Sequence, residues 1–351
     1  MLPPMDDDAD PTPSPDGRRG RATMKDVARR AGVGLSTVSR VVSGGGGVSR
    51  DKVRAVERAV RELEFSRNEF ARTLRTGTAA TIGMLVTNIS DPFFAAVIDA
   101  VEEQVRARDQ LLLVASSSDD ADEGIRVLRR LTRSRVDGLI VVVPETADLS
   151  FLQRQQDAGM PVVFVDQPSG GVSGDLVLSD NEGGMAEAVR HLAAAGHRRI
   201  ACIAHVGGRY TSERRQDGYF QGLTAAGLAH DAALVVEVED SVSACAAALA
   251  ELTGQPDPAT AVVTTNSRTT KAVLEALRLT RQRLSLVSFD DFDLAVLMDP
   301  PVTAIAQDPV AIGHAAADLL FDRIAGLGGA VRRIVIGTRL IERGSGEQPP
   351  R

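Results

Sequence analysis

The stretch "TMKDVARRAGVGLSTVSRVVSG", residues 23–44, sets how the rest of the chain is read. Thr23 followed three residues later by Asp26 resembles a capping box, with Asp where Glu is usual. Met24, Val27, Ala28 and Ala31 then recur at helical spacing, and Gly32 ends the helix. Ala31-Gly32 suits a tight turn into a second helix. On that helix Val38, Val41 and Val42 form an apolar side, while Leu35, Ser36, Ser39 and Arg40 lie on the other. An arginine there can bond guanine bidentately, and small hydroxyls can serve phosphate or base. Pattern alone leaves two readings open: a polar surface helix, or a helix that reads the major groove.

Working outward, Gly44 to Gly47 cannot hold a helix. Ser49 is a good N-cap for a third helix, whose stripe is Val53, Val56, Val60 and Leu63. Three short helices enclose only a small core. Charge separates this region from the rest. Residues 18–76 carry 15 Lys+Arg against 6 Asp+Glu, a net of +9, whereas the whole chain carries -7 and the remainder therefore -16. A basic head on an acidic body is the footprint of polyanion binding, with a solvated basic face as the alternative. Residues 1–22, rich in Pro, Asp and Gly, are expected to be a disordered arm. "NEFARTLRTG", residues 68–77, has only Phe70 and Leu74 as large apolar residues. Such a helix is marginal alone and needs a partner to offset its ordering cost.

From Ala80 the texture changes. TIGMLV, QLLLVAS, GLIVVV, PVVFVD, DLVLSD, RIACIA, ALVVEV, AVVTT, LSLVSF, TAIAQ and RRIVIG alternate with helical stretches, the pattern of parallel sheets covered on both faces. Eleven strands are many for one twisted sheet, so two doubly wound lobes are expected, with ligand at the carboxyl ends of strands. The 351 residues are 43% hydrophobic and 25% charged, an ordinary globular composition. No apolar run reaches the roughly 18 residues of a membrane span, and the first residues lack a signal-peptide centre, so a cytoplasmic protein is expected. Cys202 and Cys245 sit singly in apolar or Ala-rich contexts and read as packing residues. His191, His197, His205, His230 and His314 show no metal-ligand spacing, and there is neither a G-x-S-x-G elbow nor a Walker loop. No cofactor, metal or catalytic set is expected. The polar end, residues 343–351, reads as a disordered tail without heptads.

Taken together, these motifs resemble the lactose-repressor (LacI/GalR) family of bacterial transcription regulators. The likeness runs through "VSRDKVRAVERAVRELEFSRNEFARTLRTG", "TIGMLVTNISDPFFAAVIDAVEE", "SRVDGLIVV", "DNEGGMAEAVRHLAAAGHRRIACI", "ERRQDGYFQGL" and "SLVSFDD", covering roughly residues 23–342 in order. It implies a small all-α helix-turn-helix headpiece (23–67), a hinge helix and linker (68–79) and an α/β two-lobed, periplasmic-binding-protein-like core of two doubly wound parallel sheets (80–342). Leu35, Ser36 and Arg40 fall where the family's recognition helix meets base edges, with Thr37 and Ser39 as phosphate or packing residues. Gly34 stands where Ser is frequent and is a weaker N-cap. Asn68, Arg72 and Leu74 match the hinge helix, Leu74 at the wedge position of the minor groove. Arg67 replaces a common Pro before it.

In the core, Asn88, Asp91, Phe93 and Phe94 stand at the carboxyl end of the first strand beside a helix start, the right place for an effector; the resemblance places Arg215 and Asp290 there, and Asn266, after the AVVTT strand, is another candidate. A Phe face can cover a sugar ring, and Arg and Asp can take hydroxyls through charge-assisted bonds. Asp91 could instead simply cap its helix, and Arg215 and Asp290 could be a lobe-closing ion pair. Asp240 stands where many relatives have an aromatic, which favours a more polar ligand; Tyr210 is a possible substitute. The implied function is a ligand-responsive repressor, binding a pseudo-palindromic double-stranded operator as a homodimer, with a sugar-like effector and no membrane partner. The rivals are a cytoplasmic or transport-type solute-binding protein without a DNA role and a Rossmann-like enzyme.

Overall fold

The computed structural model describes residues 22–42, 46–63, 65, 79–118, 120–143, 148–206 and 210–350. Asn68, Arg72, Leu74 and the arm before Ala22 lie outside the described residues. Contacts divide the chain into two units, residues 1–77 and 78–351.

In the first unit, helix α1 (Met24–Ala31) starts on the capping box: the Asp26 amide donates to Thr23 Oγ1 and the Thr23 amide donates to Asp26 Oδ2 at 2.9 Å. Gly32 ends it in the left-handed region (φ 65), where glycine carries no Cβ penalty. The Gly34 carbonyl accepts from Thr37 and Val38, opening helix α2 (Leu35–Val42). Helix α3 (Arg50–Glu62) follows Ser49, whose backbone is that of an N-cap but whose side chain makes no capping bond. Val27, Val38, Val56 and Ala59 form the buried centre, with Met24, Ala31, Val41, Val60 and Leu63 around it. Each of the three helices thus contributes to one shared core.

The second unit holds two six-stranded sheets. The first contains β1 (Thr81–Val86), β2 (Leu111–Ser116), β3 (Gly138–Val141), β4 (Val162–Val165), β5 (Asp175–Ser179) and β11 (Arg333–Ile336), ordered β11-β5-β4-β3-β1-β2 and parallel throughout. The second contains β6 (Ile200–His205), β7 (Val235–Val238), β8 (Ala261–Thr264), β9 (Ser285–Phe289), β10 (Thr303–Ala306) and β12 (Arg339–Ile341), ordered β12-β10-β9-β8-β6-β7. Here only β12 runs antiparallel. The central strands are β-branched and buried on both faces, as parallel strands between helices must be.

Each sheet has a core on either face. Helices α4 (Pro92–Arg106) and α11 (Pro309–Ile324) cover one face of the first sheet, α5 (Ala121–Arg133) and α6 (Ser150–Asp157) the other. On the second sheet the two faces carry α7 (Asn181–Ala194) with α8 (Tyr210–Ala225), and α9 (Val242–Thr253) with α10 (Ser267–Thr280). The chain crosses between lobes at residues 179–181, 306–309 and 336–339. Cys202 and Cys245 are free and buried in these cores, and burial pushes their thiols up to about 12 and about 11, far from the reactive thiolate range.

The expected disordered tail is corrected by the structure, since residues 343–350 lie against the second lobe. Arg343 grips Asp291 with both terminal guanidinium nitrogens at 2.7 Å. Ser345 Oγ accepts from the Thr303 amide and donates to the Leu286 carbonyl, and His191 Nε2 meets Glu347 at 2.8 Å. Composition signals few apolar residues here, but polar pairing to β9 and β10 orders the segment.

Candidate functional site

On helix α2 the burial follows the helical period. Val38 is fully buried; Leu35, Ser36 and Arg40 are exposed; Thr37 and Ser39 are half-buried between them. The helix presents its N-terminal turn and Arg40 outward while its valine side holds the headpiece core. That is the division a major-groove reader needs.

The second site is the cleft between the two lobes, a narrow cavity of about 70 Å³. Its walls come from the carboxyl ends of parallel strands and the helix N-termini beside them. Asp91, Phe93 and Phe94 follow β1; Asp166 follows β4; His205 ends β6; Thr265 to Arg268 follow β8; Asp290 follows β9; Gln307 follows β10. Thr211, Ser212 and Arg215 come from the start of α8. Of the residues named from sequence, the structure brings together Asp91, Phe93, Phe94, Arg215, Asn266 and Asp290. Asn88 is not among the lining residues, because its Oδ1 accepts from the Ser90 amide at 2.9 Å and closes a local turn. Tyr210 is not in the lining either: its ring lies beneath the Arg214 guanidinium, 5.8 Å away.

Arg215 is buried and held through its Nε and Nη1. Its Nε donates to Asn181 Oδ1 at 2.7 Å, its Nη1 donates to the Thr265 carbonyl at 2.5 Å and meets Asp290 Oδ2 at 3.3 Å, and its plane lies 3.8 Å over the Phe289 ring. Gln307 Nε2 donates to the other Asp290 oxygen at 2.5 Å. Asp290 is therefore an acceptor oriented from both sides. Asp91 Oδ1 accepts from the Phe93 amide and Asn266 Oδ1 from the Thr269 amide, so both are helix N-caps as well as cleft residues. Burial holds the Asp91 carboxyl above its ordinary range against the opposing Phe93 bond, and the nearby Asp290 charge adds to the rise. Phe93 and Phe94 meet edge to face at 5.1 Å.

Asp166 was missed from sequence, yet it has a counterpart in the second lobe. Asp166 and Asp290 each follow the third strand of their sheet, each with positive φ (70 and 71). Each amide donates to the neighbouring strand, to Val177 and Ile305, both at 3.0 Å. The signal was the shared ending, "FVD" and "SFD". His205, Ser212, Arg268 and Gln307 had no motif to mark them. Asp240 lies behind the cleft wall. Burial raises its carboxyl pKa, but the His205 and Thr269 contacts outweigh that and hold it low.

A small helix-turn-helix unit joined to a two-lobed core with a polar inter-lobe cleft is the build of a ligand-responsive transcription regulator. Residues 23–68 match "Bacterial regulatory proteins, lacI family", and residues 189–346 match the "Periplasmic binding protein-like domain". The chain is 32% identical to the ribose operon repressor of Escherichia coli (strain K12) over 328 residues, 92% of this chain and 99% of that one. It is 32% identical to the HTH-type transcriptional regulator CelR of Thermobifida fusca over 340 residues, 94% and 99% of the two chains. Among solved structures, a CelR-cellobiose complex aligns with TM-score 0.68 at 31% identity, covering 93% of this chain and 100% of that one. The lac repressor dimer bound to operator and an anti-inducer aligns with TM-score 0.82 at 23% identity, covering 93% and 99%, a likeness of fold. The chain belongs to the lacI family of bacterial regulatory proteins, a family of DNA-binding transcriptional regulators. No helix among the described residues is long and apolar enough to cross a membrane.

Proposed function

We propose that this regulator is a cytoplasmic, nucleoid-associated repressor that binds a pseudo-palindromic operator as a homodimer and changes its operator affinity when a hydroxylated small molecule, a sugar or sugar derivative, enters the cleft. It acts by binding its effector and does not turn it over. The observation that carries this reading is the cleft itself: Asp91, Asp166 and Asp290 supply acceptors, Arg215, His205 and Arg268 supply donors, and Phe93 and Phe94 supply an apolar face. Such a lining suits a polyol with one less polar ring surface. Two of its relatives, a ribose operon repressor and CelR in complex with cellobiose, favour the same class.

At the DNA, Leu35, Ser36 and Arg40 would read base edges, with Thr37 and Ser39 at phosphates or in packing. Asn68, Arg72 and Leu74 would fold as a hinge in the minor groove, within a linker spanning 68–79. The effector shifts the balance between lobe arrangements and thereby the fraction of hinges able to fold on DNA.

The test is operator affinity by fluorescence anisotropy, with and without each sugar of a thermal-shift panel, across a salt series. A change of about 5- to 150-fold with effector and a steep linear loss of log affinity with log salt are expected. No operator binding at any salt would favour the solute-binding rival, and a flat salt response would reject the basic head as the DNA-contacting surface.

A further inference from the structure

The second lobe's end of the cleft contains a buried hydroxyl that the fold leaves without a partner, beside an imidazole set against a carboxylate. Ser212 lies in the first turn of the 16-residue helix α8, is 6% exposed and lines the cleft, yet its Oγ has no hydrogen-bond partner among the described residues. A buried hydroxyl without a partner carries a desolvation cost that an incoming polar group would remove. Facing the same space is His205, at the end of β6. Its Nδ1 lies 3.1 Å from Asp240 Oδ2, close but out of line for a straight hydrogen bond. Asp240 is itself held by the Thr269 hydroxyl at 2.5 Å on Oδ1 and by Arg268 Nε at 3.5 Å on Oδ2. With its Nδ1 beside a fixed carboxylate, the ring's other nitrogen, Nε2, is the one left to meet a ligand in the cleft that His205 lines.

We infer that His205 and Ser212 form a polar subsite that takes a hydroxyl-bearing end of the effector and selects against an apolar or aromatic substituent at that end. The inference rests on the proposed role of the cleft as the effector site and adds to it which end must be polar. A hydroxyl both donates and accepts, so it can satisfy Ser212 Oγ and the His205 ring together. A phenyl group there would leave both unsatisfied in a closed space, the situation in which polar sites reject apolar analogues most strongly. Asp240 acts as a positioning residue, through the ring.

The experiment is titration calorimetry of the full chain with D-ribose, D-glucose, cellobiose and phenyl β-D-glucopyranoside, on the unaltered protein, Ser212→Ala, His205→Phe, Asp240→Asn and Asp240→Leu. Circular dichroism and melting establish that each variant is folded. Ser212→Ala is expected to weaken the sugars that bind by about tenfold. His205→Phe is expected to lower the ratio of glucose affinity to phenyl-glucoside affinity by at least about tenfold. Asp240→Asn, which keeps an acceptor toward Nδ1, should retain the binding that Asp240→Leu loses. Sugar binding with affinities and ratios unchanged within twofold in both Ser212→Ala and His205→Phe overturns this inference alone. Failure of every sugar to bind the unaltered protein overturns the effector reading and this inference with it.

Discussion

Arg215 shows what it takes to hold a charge inside this cleft. Its guanidinium is matched on three sides by Asn181, the Thr265 carbonyl and Asp290, and stacked on Phe289. Arg215→Met keeps the length but strands Asp290 and two buried acceptors, so the core should lose about 3 kcal/mol, read as a lower urea midpoint of the core transition. An unchanged midpoint would show that the network is redundant. Asp91 predicts the opposite sign. Burial, with the Asp290 charge, raises its carboxyl above the ordinary 3.8, so the native state holds that proton more tightly than the unfolded chain. Stability is then greatest at acid pH and falls as pH rises from the ordinary value through the raised one. Asp91→Asn keeps the cap to Phe93 and removes the charge. It should stabilise the effector-free protein at pH 7, and the gain should vanish as pH falls below 4; a gain independent of pH would contradict this account. Asp91 was legible because strand ends and helix caps carry marks in sequence, Arg215 only through the family resemblance. His205, Ser212 and Gln307 were not, because what defines them is which distant strand end they face.

At the scale of elements, the helix-turn-helix was legible almost to the residue. The capping box, the glycine stop and the valine stripe are local signals, and they agree with one another. The eleven apolar runs all form strands for the same reason. The missed strand, Arg339–Ile341, has three residues and pairs antiparallel with β10, too short to show a period. The return of β11 to the first sheet was invisible because its partner, β5, lies more than 150 residues earlier in the chain. Helix α2 gives the sharpest test at this scale. Val38 anchors it, while Arg40 stands on the exposed side with Leu35 and Ser36. Arg40→Ala should cost about 1–3 kcal/mol of operator affinity and relax the preference at one base pair per half-site. A selection of binding sequences by the variant would show that loss of preference. A uniform loss across all sequences would instead make Arg40 a phosphate contact.

At the scale of the whole core, the cleft is joined to the crossings between lobes by a closed polar circuit. Ser179, ending β5 in the first lobe, donates its hydroxyl to Gln307 Oε1. Gln307, on the second crossing, donates to Asp290 in the second lobe at 2.5 Å. Asp290 meets Arg215, Arg215 donates to Asn181, and Asn181 Nδ2 returns to the Ser179 carbonyl at 3.2 Å. Two of the three crossing segments are thus hydrogen-bonded to the residues that would grip an effector. An effector that competes for Asp290 or Arg215 must disturb the bonds that set the angle between lobes, which is a differential interaction of the kind a population shift requires. Gln307→Leu cuts the circuit at the amide that bridges the second crossing to Asp290. The ratio of operator affinities without and with saturating effector should then shrink by about 0.5–2 kcal/mol of coupling. Because the ratio is taken at saturation, weaker effector binding by the variant does not enter it. A ratio equal to that of the unaltered protein would place the coupling elsewhere, in the third crossing at residues 336–339 or in the packing of α11 on α4.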